Sequence, residues 1–208
     1  MGLSRLTDPT AHIVVDASTA INLNATGYGA RILRAIPNSV IMIDAVQKEL
    51  LEDVRNGRND GQMIAVLVSA GLIAIARLDD LTGTHFEELV IGSGDSTLDD
   101  GEAATIAYGV EKGAIALIDE RKATRLCSVR YPQLVVRNSL DIFAHDEVLK
   151  ELGEQYLAEA VFNALHNARM RVPAQAIQWI VQLIGPEKAL LCESLPRAIR
   201  AQFEKKRM

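Results

Sequence analysis

The sequence predicts an α/β protein of three layers, in which a five-stranded, mainly parallel sheet lies between helices and a helical appendage follows on the C-terminal side. Short aliphatic runs alternate with longer stretches of helical periodicity, which is the pattern of parallel strands joined by crossover helices. The runs IVV, VIMI and AIALI also lack alternating polar residues. Such uninterrupted apolar strands are typical of a parallel sheet that helices cover on both faces.

Strands and connecting helices account for the first and larger part of the chain. The strands are predicted at residues 12–15, 40–43, 72–75, 114–118 and 134–136. The helices are predicted at residues 18–36, 45–56, 60–70, 80–91, 101–112, 120–130 and 139–151. Gly71 and Gly113 each follow a helical stretch, and we expect them to end it because glycine readily adopts the left-handed conformation of a helix C-terminus.

The chain changes character after Gly153, because no further strand is predicted there. The remaining sequence reads as helical, with breaks at Pro173, Gly185-Pro186 and Pro196. We therefore expect one α/β domain over residues 1–152 and a helical C-terminal extension over residues 153–208.

The charge balance is acidic, and it restricts the choice of ligands. The 208 residues include 22 Lys and Arg against 27 Asp and Glu, which gives a net charge of −5. This balance argues against a globally basic surface that grips nucleic acid. Residues 197–208 nevertheless hold five basic residues and one acid, so this segment carries +4 and the rest of the chain −9. Binding to a polyanion therefore needs local positive sites or metal ions.

The cysteines and the apolar segments indicate the compartment. Cys127 and Cys192 lie far apart without a C-x-x-C pair, which supports neither a disulfide framework nor a zinc knuckle. The start of the sequence shows no signal peptide. The richest apolar stretch, at residues 63–76, is shorter than the roughly 18 residues that a membrane span needs. We expect a protein of the reducing cytoplasm with no membrane partner.

Two aspartates directly follow predicted strands. Asp16 ends the first strand in IVVDAS, and Asp119 ends the fourth in IALIDE. The carboxyl ends of parallel strands form the edge at which open α/β sheets place their ligands, so both side chains are candidates for one site. An aspartate between a strand and a helix is also a good helix N-cap, and this interpretation remains open for each of them.

Further acids surround the start of the helix predicted at 101–112. The run from Asp95 to Glu102 contains four acids and no base, and these repel one another unless solvent or a divalent cation neutralises them. Asp99 and Glu102 are three residues apart, so at a helix start they approach one point, as the residues of a capping box also do. Glu49, in AVQKELLED, is either a fourth element of the site or a solvated residue on a helix.

Four segments in this order, VVDASTAINL, AVQKEL, LDDGEAATIAYG and ALIDERKATRL, resemble the motifs of the PIN-domain nucleases, including the VapC-like toxins of bacterial toxin–antitoxin pairs. The resemblance covers about residues 12–150. It implies the three-layer fold and a metal-dependent ribonuclease activity on single-stranded or looped RNA. It also implies a homodimer that pairs through helices and, in the toxin branch, an inhibitory antitoxin protein as a partner.

The resemblance also assigns the site residue by residue. Asp16 matches the first-strand metal ligand, Ser18 supplies the small hydroxyl beside it, and Glu49 matches the acid of the second motif. Asp99 and Glu102 match the acids around Gly101, with Asp100 at the variable position, and Asp119 matches the acid after the fourth strand. The implied catalytic residues are Asp16, Glu49, Asp99, Glu102 and Asp119. The implied metal ligands among them are Asp16, Glu102 and Asp119.

The loop after the fifth strand departs from the family pattern, because Arg137-Asn138-Ser139 stands where Gly-Thr is usual. Only the hydroxyl of Ser139 is then left to contact substrate. Arg125 lies near the family's arginine after the fourth strand. Several cations in this part of the chain either line a path for RNA or simply solvate one face. They are Arg121, Lys122, Arg125, Arg130 and Arg137.

Carboxylate oxygens without nearby histidine or cysteine select Mg²⁺ or Mn²⁺ rather than zinc. Such ions activate water and stabilise charge in phosphodiester hydrolysis, so no covalent protein nucleophile is required. A second interpretation stays open beside the nuclease. In it, the chain is a catalytically inactive PIN-like binding or regulatory module that recruits a partner through its C-terminal helices.

Overall fold

The computed structural model describes residues 6–52, 59–91 and 98–207, with side chains up to Phe203. It contains a sheet of five strands in the spatial order β3-β2-β1-β4-β5, and all neighbouring strands run parallel. The strands are β1 Ile13–Val15, β2 Val40–Ile43, β3 Ala74–Ala76, β4 Ile115–Leu117 and β5 Val136–Arg137. Helices flank this sheet, so the predicted three-layer α/β fold is confirmed.

The register places the ends of the two central strands side by side. Val14 of β1 pairs with Ile41 of β2 on one side and with Ala116 of β4 on the other. Val15 and Leu117, the last residues of β1 and β4, are also partners. The chain segments that follow these two strands therefore leave the sheet at the same edge.

Helices make up most of the remaining described chain. The first six are α1 Ala17–Ala25, α2 Gly29–Ala35, α3 Asp44–Glu52, α4 Asp60–Ser69, α5 Asp80–Val90 and α6 Asp100–Lys112. The others are α7 Arg121–Arg130, α8 Ser139–Phe143, α9 Asp146–Asn167, α10 Ile177–Leu190 and α11 Arg197–Arg207. A short 3-10 turn at Ala174–Ala176 precedes α10.

Two predicted helices are divided in the structure. The helix predicted at 18–36 is α1 and α2, because Gly27 takes a left-handed φ of 75° between them. The helix predicted at 139–151 is the short α8 followed by α9, which continues to Asn167 through a kink at Gly153 with a φ of 73°. A glycine with positive φ interrupts the α-helical path in both α1–α2 and α9.

Other boundaries agree closely with the sequence. Gly113 ends α6 with a φ of 63°, and Gly71 follows α4 with a φ of 70°, as predicted. Strands β3 and β5 begin two residues later than predicted, at Ala74 and Val136. Residues 53–56 of the helix predicted at 45–56 lie outside the described residues, and so does Asp95.

The described chain forms two compact units. The sheet unit contains residues 7–20 and 37–139, and the helical unit contains residues 21–36 and 140–207 together with Leu6. Within the sheet unit, α6 packs against β1, β2 and β4 and also contacts α3 and α5. Within the helical unit, α9 packs against α2 and α10. The domain boundary at 152 and 153 stays a prediction.

Among the residues that the structure describes, none of the helices is long and apolar enough to cross a bilayer.

Candidate functional site

Asp16 and Asp119 lie at the carboxyl edge of the sheet, after the paired ends of β1 and β4. Asp16 directly follows β1, and its backbone N–H donates to the carbonyl oxygen of Leu117 at 3.3 Å. Both aspartate residues are buried, with exposed fractions of 2% and 5%. Burying carboxylates is costly unless hydrogen bonds or cations compensate, so these two are not ordinary surface acids.

The Asp16 carboxylate accepts hydrogen bonds from the turn that follows it. Its Oδ1 accepts from the backbone N–H of Thr19 at 2.7 Å, and its Oδ2 accepts from the hydroxyl of Ser18 at 2.8 Å. Asp16 therefore also satisfies a free N–H in the first turn of α1, as an N-cap does. Ser18 lies beside Asp16, where the family resemblance expects it.

Ser139 gives the Asp119 carboxylate a similar pair of hydrogen bonds. Ser139 donates its backbone N–H to Oδ1 at 3.1 Å and its hydroxyl to Oδ2. Ser139 is fully buried, with an exposed fraction of 0%. The observed contact of this hydroxyl is thus with a carboxylate, and its assignment as a substrate contact stays a prediction.

The two aspartates interact electrostatically. Burial raises the pKa of Asp16 to about 7, and the repulsion of the Asp119 carboxylate adds to this effect. The hydrogen bonds from Thr19 and Ser18 act in the opposite direction but do not cancel it. A bound cation would favour the ionised form and so offset the cost of placing like charges together.

Glu102 brings the N-terminus of α6 into this group. It is half-buried, and burial together with Asp99, Asp16 and Glu120 raises its pKa to about 8, while Lys122 opposes the rise. The carboxylates of Glu102 and Asp16 are therefore close enough to interact, although one follows a strand and the other belongs to a helix. Asp99 directly precedes α6, whereas Asp16 directly follows β1, so the two aspartates approach Glu102 from different elements.

Asp99 is the N-cap of α6. Its Oδ1 accepts from the backbone N–H of Glu102 at 2.8 Å, which realises the capping interaction that the spacing predicted. Asp99 is exposed, and so is Asp100 beside it. The capping interpretation is confirmed for Asp99, and its assignment to the site stays a prediction that the cap does not exclude, since a cap leaves further lone pairs on the carboxylate.

Glu49 reaches the same helix start from α3. A Cβ atom placed on Gly101 would overlap Glu49 Oε2 and approach Val46 Cγ2 to 3.6 Å. The glycine therefore allows the Glu49 carboxylate to lie against the first turn of α6, although Glu49 as a whole is exposed. This contact gives a physical reason for the Gly-Glu pair in the third motif.

The predicted cations divide into two groups. Arg121, Lys122 and Arg125 are exposed in the first half of α7, which begins two residues after Asp119, and Lys122 acts electrostatically on Glu102. Arg130, at the far end of α7, stretches to the carbonyl oxygen of Glu88 at 3.5 Å.

Arg137 is half-buried and donates to the carbonyl oxygen of the preceding residue at 2.8 Å. The structure thus places three of the five cations in the first half of the helix that starts at the site.

Sequence analysis missed two residues of the site. Thr19 is fully buried, and its hydroxyl donates to the carbonyl oxygen of Leu117 at 3.1 Å. Glu120 caps α7 by accepting from the backbone N–H of Lys122 at 3.2 Å, and it adds a negative charge near Glu102. The position of Glu120 directly after Asp119 was a usable signal, whereas the partner of Thr19 is distant in sequence.

The donor set is suited to a hard divalent cation, because every candidate ligand is a carboxylate. Over the described ranges 6–52, 59–91 and 98–207, no three His, Cys, Asp or Glu side chains are grouped so that they could hold a metal ion as they stand. The assignment of Asp16, Glu102 and Asp119 as metal ligands therefore stays a prediction, and the chemistry of the donors is what favours it.

Open α/β proteins generally bind their ligands at the carboxyl edge of the parallel sheet, which is where this chain carries its buried carboxylates. A comparison with protein families shows which α/β family the chain belongs to: a family model described as a PIN domain matches residues 12–186. The chain belongs to the PIN-domain family, and the resemblance seen in the sequence is confirmed at this level. Comparisons with curated proteins and with solved structures returned no match. PIN domains are generally nucleases and typically use divalent metal ions.

Proposed function

We propose that this chain is an Mg²⁺- or Mn²⁺-dependent endoribonuclease that hydrolyses phosphodiester bonds of single-stranded or looped RNA. The observation that carries the proposal is the approach of the buried, hydrogen-bonded carboxylates of Asp16 and Asp119 at one sheet edge, with Glu102 in electrostatic contact. Membership of the PIN-domain family supports hydrolysis as the reaction class.

Asp16, Glu102 and Asp119 would hold the metal. A divalent ion bound there supplies a water of lowered pKa and neutralises charge on the phosphate oxygens. The hydrogen bonds from Ser18 and Ser139 fix the directions of the two aspartate carboxylates without using all their lone pairs. Fixed ligands of this kind reduce the cost of reorganisation when a cation or a substrate binds.

The remaining acids of the proposed catalytic set act from the start of α6. Asp99 keeps one oxygen on the Glu102 backbone N–H, and Glu49 lies against Gly101. In this proposal both carboxylates accept hydrogen bonds from the attacking water and orient it toward phosphorus.

The RNA backbone would be bound by the exposed cations of α7. Arg121, Lys122 and Arg125 follow Asp119 along one helix and lie in an otherwise acidic chain. Side chains of this type contact phosphates without reading bases. The proposal therefore concerns the substrate class, and it specifies no base sequence.

The test uses the full chain and single-stranded RNA in Mn²⁺. We expect cleavage that a chelator abolishes and that Asp16→Asn and Asp119→Asn each reduce by at least a hundredfold, whereas the exposed Asp80→Asn leaves it unchanged. Mn²⁺ should also raise the melting temperature of the wild-type chain. Cleavage that survives both site substitutions would overturn the proposal. A folded wild-type chain that neither cleaves RNA nor responds to Mn²⁺ would instead support the inactive binding module.

We further propose a second copy of the chain and an inhibitory antitoxin as partners, with a toxin role in the cell. The family resemblance supports these proposals. Light scattering after size-exclusion chromatography measures the oligomeric state, and growth arrest on expression, relieved by a co-expressed neighbouring gene product, measures the toxin role. A monomer that has no effect on growth would contradict both.

A further inference from the structure

We propose that Thr19 is a positioning residue of the carboxylate site, which fixes Asp16 relative to Asp119 by tying the first turn of α1 to the end of β4. The inference rests on the proposed function, because the two aspartates are the metal ligands of that proposal. It assigns Thr19 no contact with metal or RNA.

Thr19 makes two hydrogen bonds that lead to different elements, and its hydroxyl also lies close enough to the Asp16 carboxylate to act on it. Its backbone N–H donates to Asp16 Oδ1 at 2.7 Å, and its hydroxyl donates to the carbonyl oxygen of Leu117 at 3.1 Å. The first bond orients the carboxylate, and the second joins residues that are 98 positions apart in the chain. Since Thr19 is fully buried, water does not compete for either donor.

The Leu117 carbonyl is a shared acceptor. It receives the Thr19 hydroxyl and also the backbone N–H of Asp16 at 3.3 Å. A carbonyl oxygen has two lone pairs and can accept both bonds. Leu117 ends β4 and lies two residues before Asp119, so this one oxygen connects the turn that orients Asp16 to the strand that leads into Asp119.

Removing the Thr19 hydroxyl should therefore change the site more than the fold. The Leu117 carbonyl would still accept from the Asp16 N–H, so no buried acceptor would be left without a partner. The turn that carries Asp16 would, however, lose its side-chain link to β4. This separates Thr19 from a threonine whose hydroxyl only stabilises its own helix.

Thr82, which also belongs to the sheet unit, is a buried threonine whose hydroxyl serves only its own helix start. It is also fully buried, and its hydroxyl bonds to Asp79 three residues earlier, in the capping box of α5. Asp79 pairs with Lys112, which is the last residue of α6, whereas Glu102 is in the first turn of that helix. Thr82→Val therefore removes a buried hydroxyl at the opposite end of α6 from the site.

The first experiment measures Mn²⁺ binding to the full chain by calorimetry. We expect Thr19→Val to weaken binding about tenfold or more, because loss of a group that orients metal ligands typically has this effect. Thr19→Ser retains the hydroxyl and should remain within about threefold of wild type, on the same scale. Thr82→Val should bind as wild type does. Wild-type affinity in Thr19→Val, or an equal loss in Thr82→Val, would overturn the inference.

The second experiment needs no metal. Hydrogen exchange of the Asp16 amide, which bonds to Leu117, should become faster in Thr19→Val and stay unchanged in Thr82→Val. If the wild-type chain binds no Mn²⁺, the proposed function fails, and the exchange measurement still decides whether Thr19 holds the strand ends together. Unchanged exchange in Thr19→Val would overturn that role by itself.

Discussion

Ser139 donates to both carboxylate oxygens of Asp119, one bond coming from its backbone N–H and the other from its hydroxyl. The residue stands in the loop that departs from the family's usual Gly-Thr. The departure therefore preserves a hydroxyl where the carboxylate needs one, because serine and threonine are equivalent as donors.

Ser139→Ala is expected to destabilise the chain and to lower cleavage. A buried carboxylate oxygen loses a donor, which costs about 1–3 kcal/mol of unfolding free energy. We expect an RNA cleavage rate about 10- to 100-fold lower, since Asp119 would be less well oriented. Urea denaturation and single-turnover cleavage measure the two effects.

Ser139→Thr is the matched variant, because it keeps the hydroxyl and restores the residue usual in the family. It should cleave RNA at a rate close to that of wild type. Equal losses in both variants would show that side-chain size at this buried position, and not the hydroxyl, is what matters.

The stability of the metal-free chain is expected to fall as pH rises from about 4 to about 7. Burial and Asp119 raise the pKa of Asp16 to about 7 in the folded chain, against about 4 in the unfolded chain. In this range the folded state keeps a proton that the unfolded state has released, so rising pH favours unfolding. Glu102, with its pKa raised to about 8, extends the fall to higher pH.

Melting temperatures in a chelator between pH 4 and pH 9 test this expectation. Asp16→Asn, which cannot ionise, should flatten part of the curve. Mn²⁺ should raise the melting temperature by more at higher pH, because it binds ionised carboxylates and its stabilising effect grows as they lose their protons. A gain from Mn²⁺ that is the same at pH 5 and pH 8 would contradict this assignment of the raised pKa values.

Gly101→Ala is expected to lower activity without unfolding the chain. The new Cβ would displace the Glu49 carboxylate, which is the flexible end of a side chain, so α3 and α6 need not separate. Alanine also favours a helix over glycine by about 1 kcal/mol. We expect unchanged or higher stability and an activity loss similar to that of Glu49→Gln.

Gly83→Ala is the control for this substitution. Gly83 lies in α5, and a Cβ atom there meets nothing within 4 Å. It should gain stability by the same helical preference and cleave RNA as wild type does. Full activity in Gly101→Ala would mean that the position of the Glu49 carboxylate is unimportant for hydrolysis.

Neutralising the cations of α7 is expected to weaken RNA binding and reduce its salt dependence. Each of Arg121→Gln, Lys122→Gln and Arg125→Gln should lower the slope of log affinity against log salt by about 0.7, the value for one phosphate contact on a single strand. Arg130→Gln, on the same helix but directed to Glu88, should leave the slope unchanged. Binding titrations with a noncleaving Asp16→Asn background measure the slopes, and equal slopes in all four variants would contradict the proposed path.

All five strands were located from the sequence, whereas two of the predicted helices are each divided in the structure. Val40–Ile43 was predicted to the residue because four consecutive aliphatic side chains are buried together there. The division of α1 from α2 was missed because it depends on Gly27, and a glycine within a helical pattern does not reveal its φ. Thr26 adds to this turn by donating its hydroxyl to the carbonyl oxygen of Leu23.

In the candidate site, too, the positions set by the strands were predictable and the contacts set by turns and loops were not. The approach of Asp16 and Asp119 was predictable, because both follow parallel strands and such strands end at one edge. The hydrogen bonds that hold them were not, because Ser139 and Thr19 select their partners through loop and turn geometry. Glu49 could be placed only through the family resemblance, since its contact with Gly101 joins two helices.

The acceptor for the Thr19 hydroxyl is a main-chain oxygen, and this determines which substitutions are tolerated at each end of the hydrogen bond. Any residue except one that distorts β4 presents the same carbonyl at position 117, so apolar replacements of Leu117 preserve the link. A saturation scan of both positions should therefore accept several aliphatic side chains at 117 and only hydroxyl-bearing ones at 19. Substitutions would therefore be restricted at position 19 and not at position 117. Covariation between the two positions would not reveal this hydrogen bond.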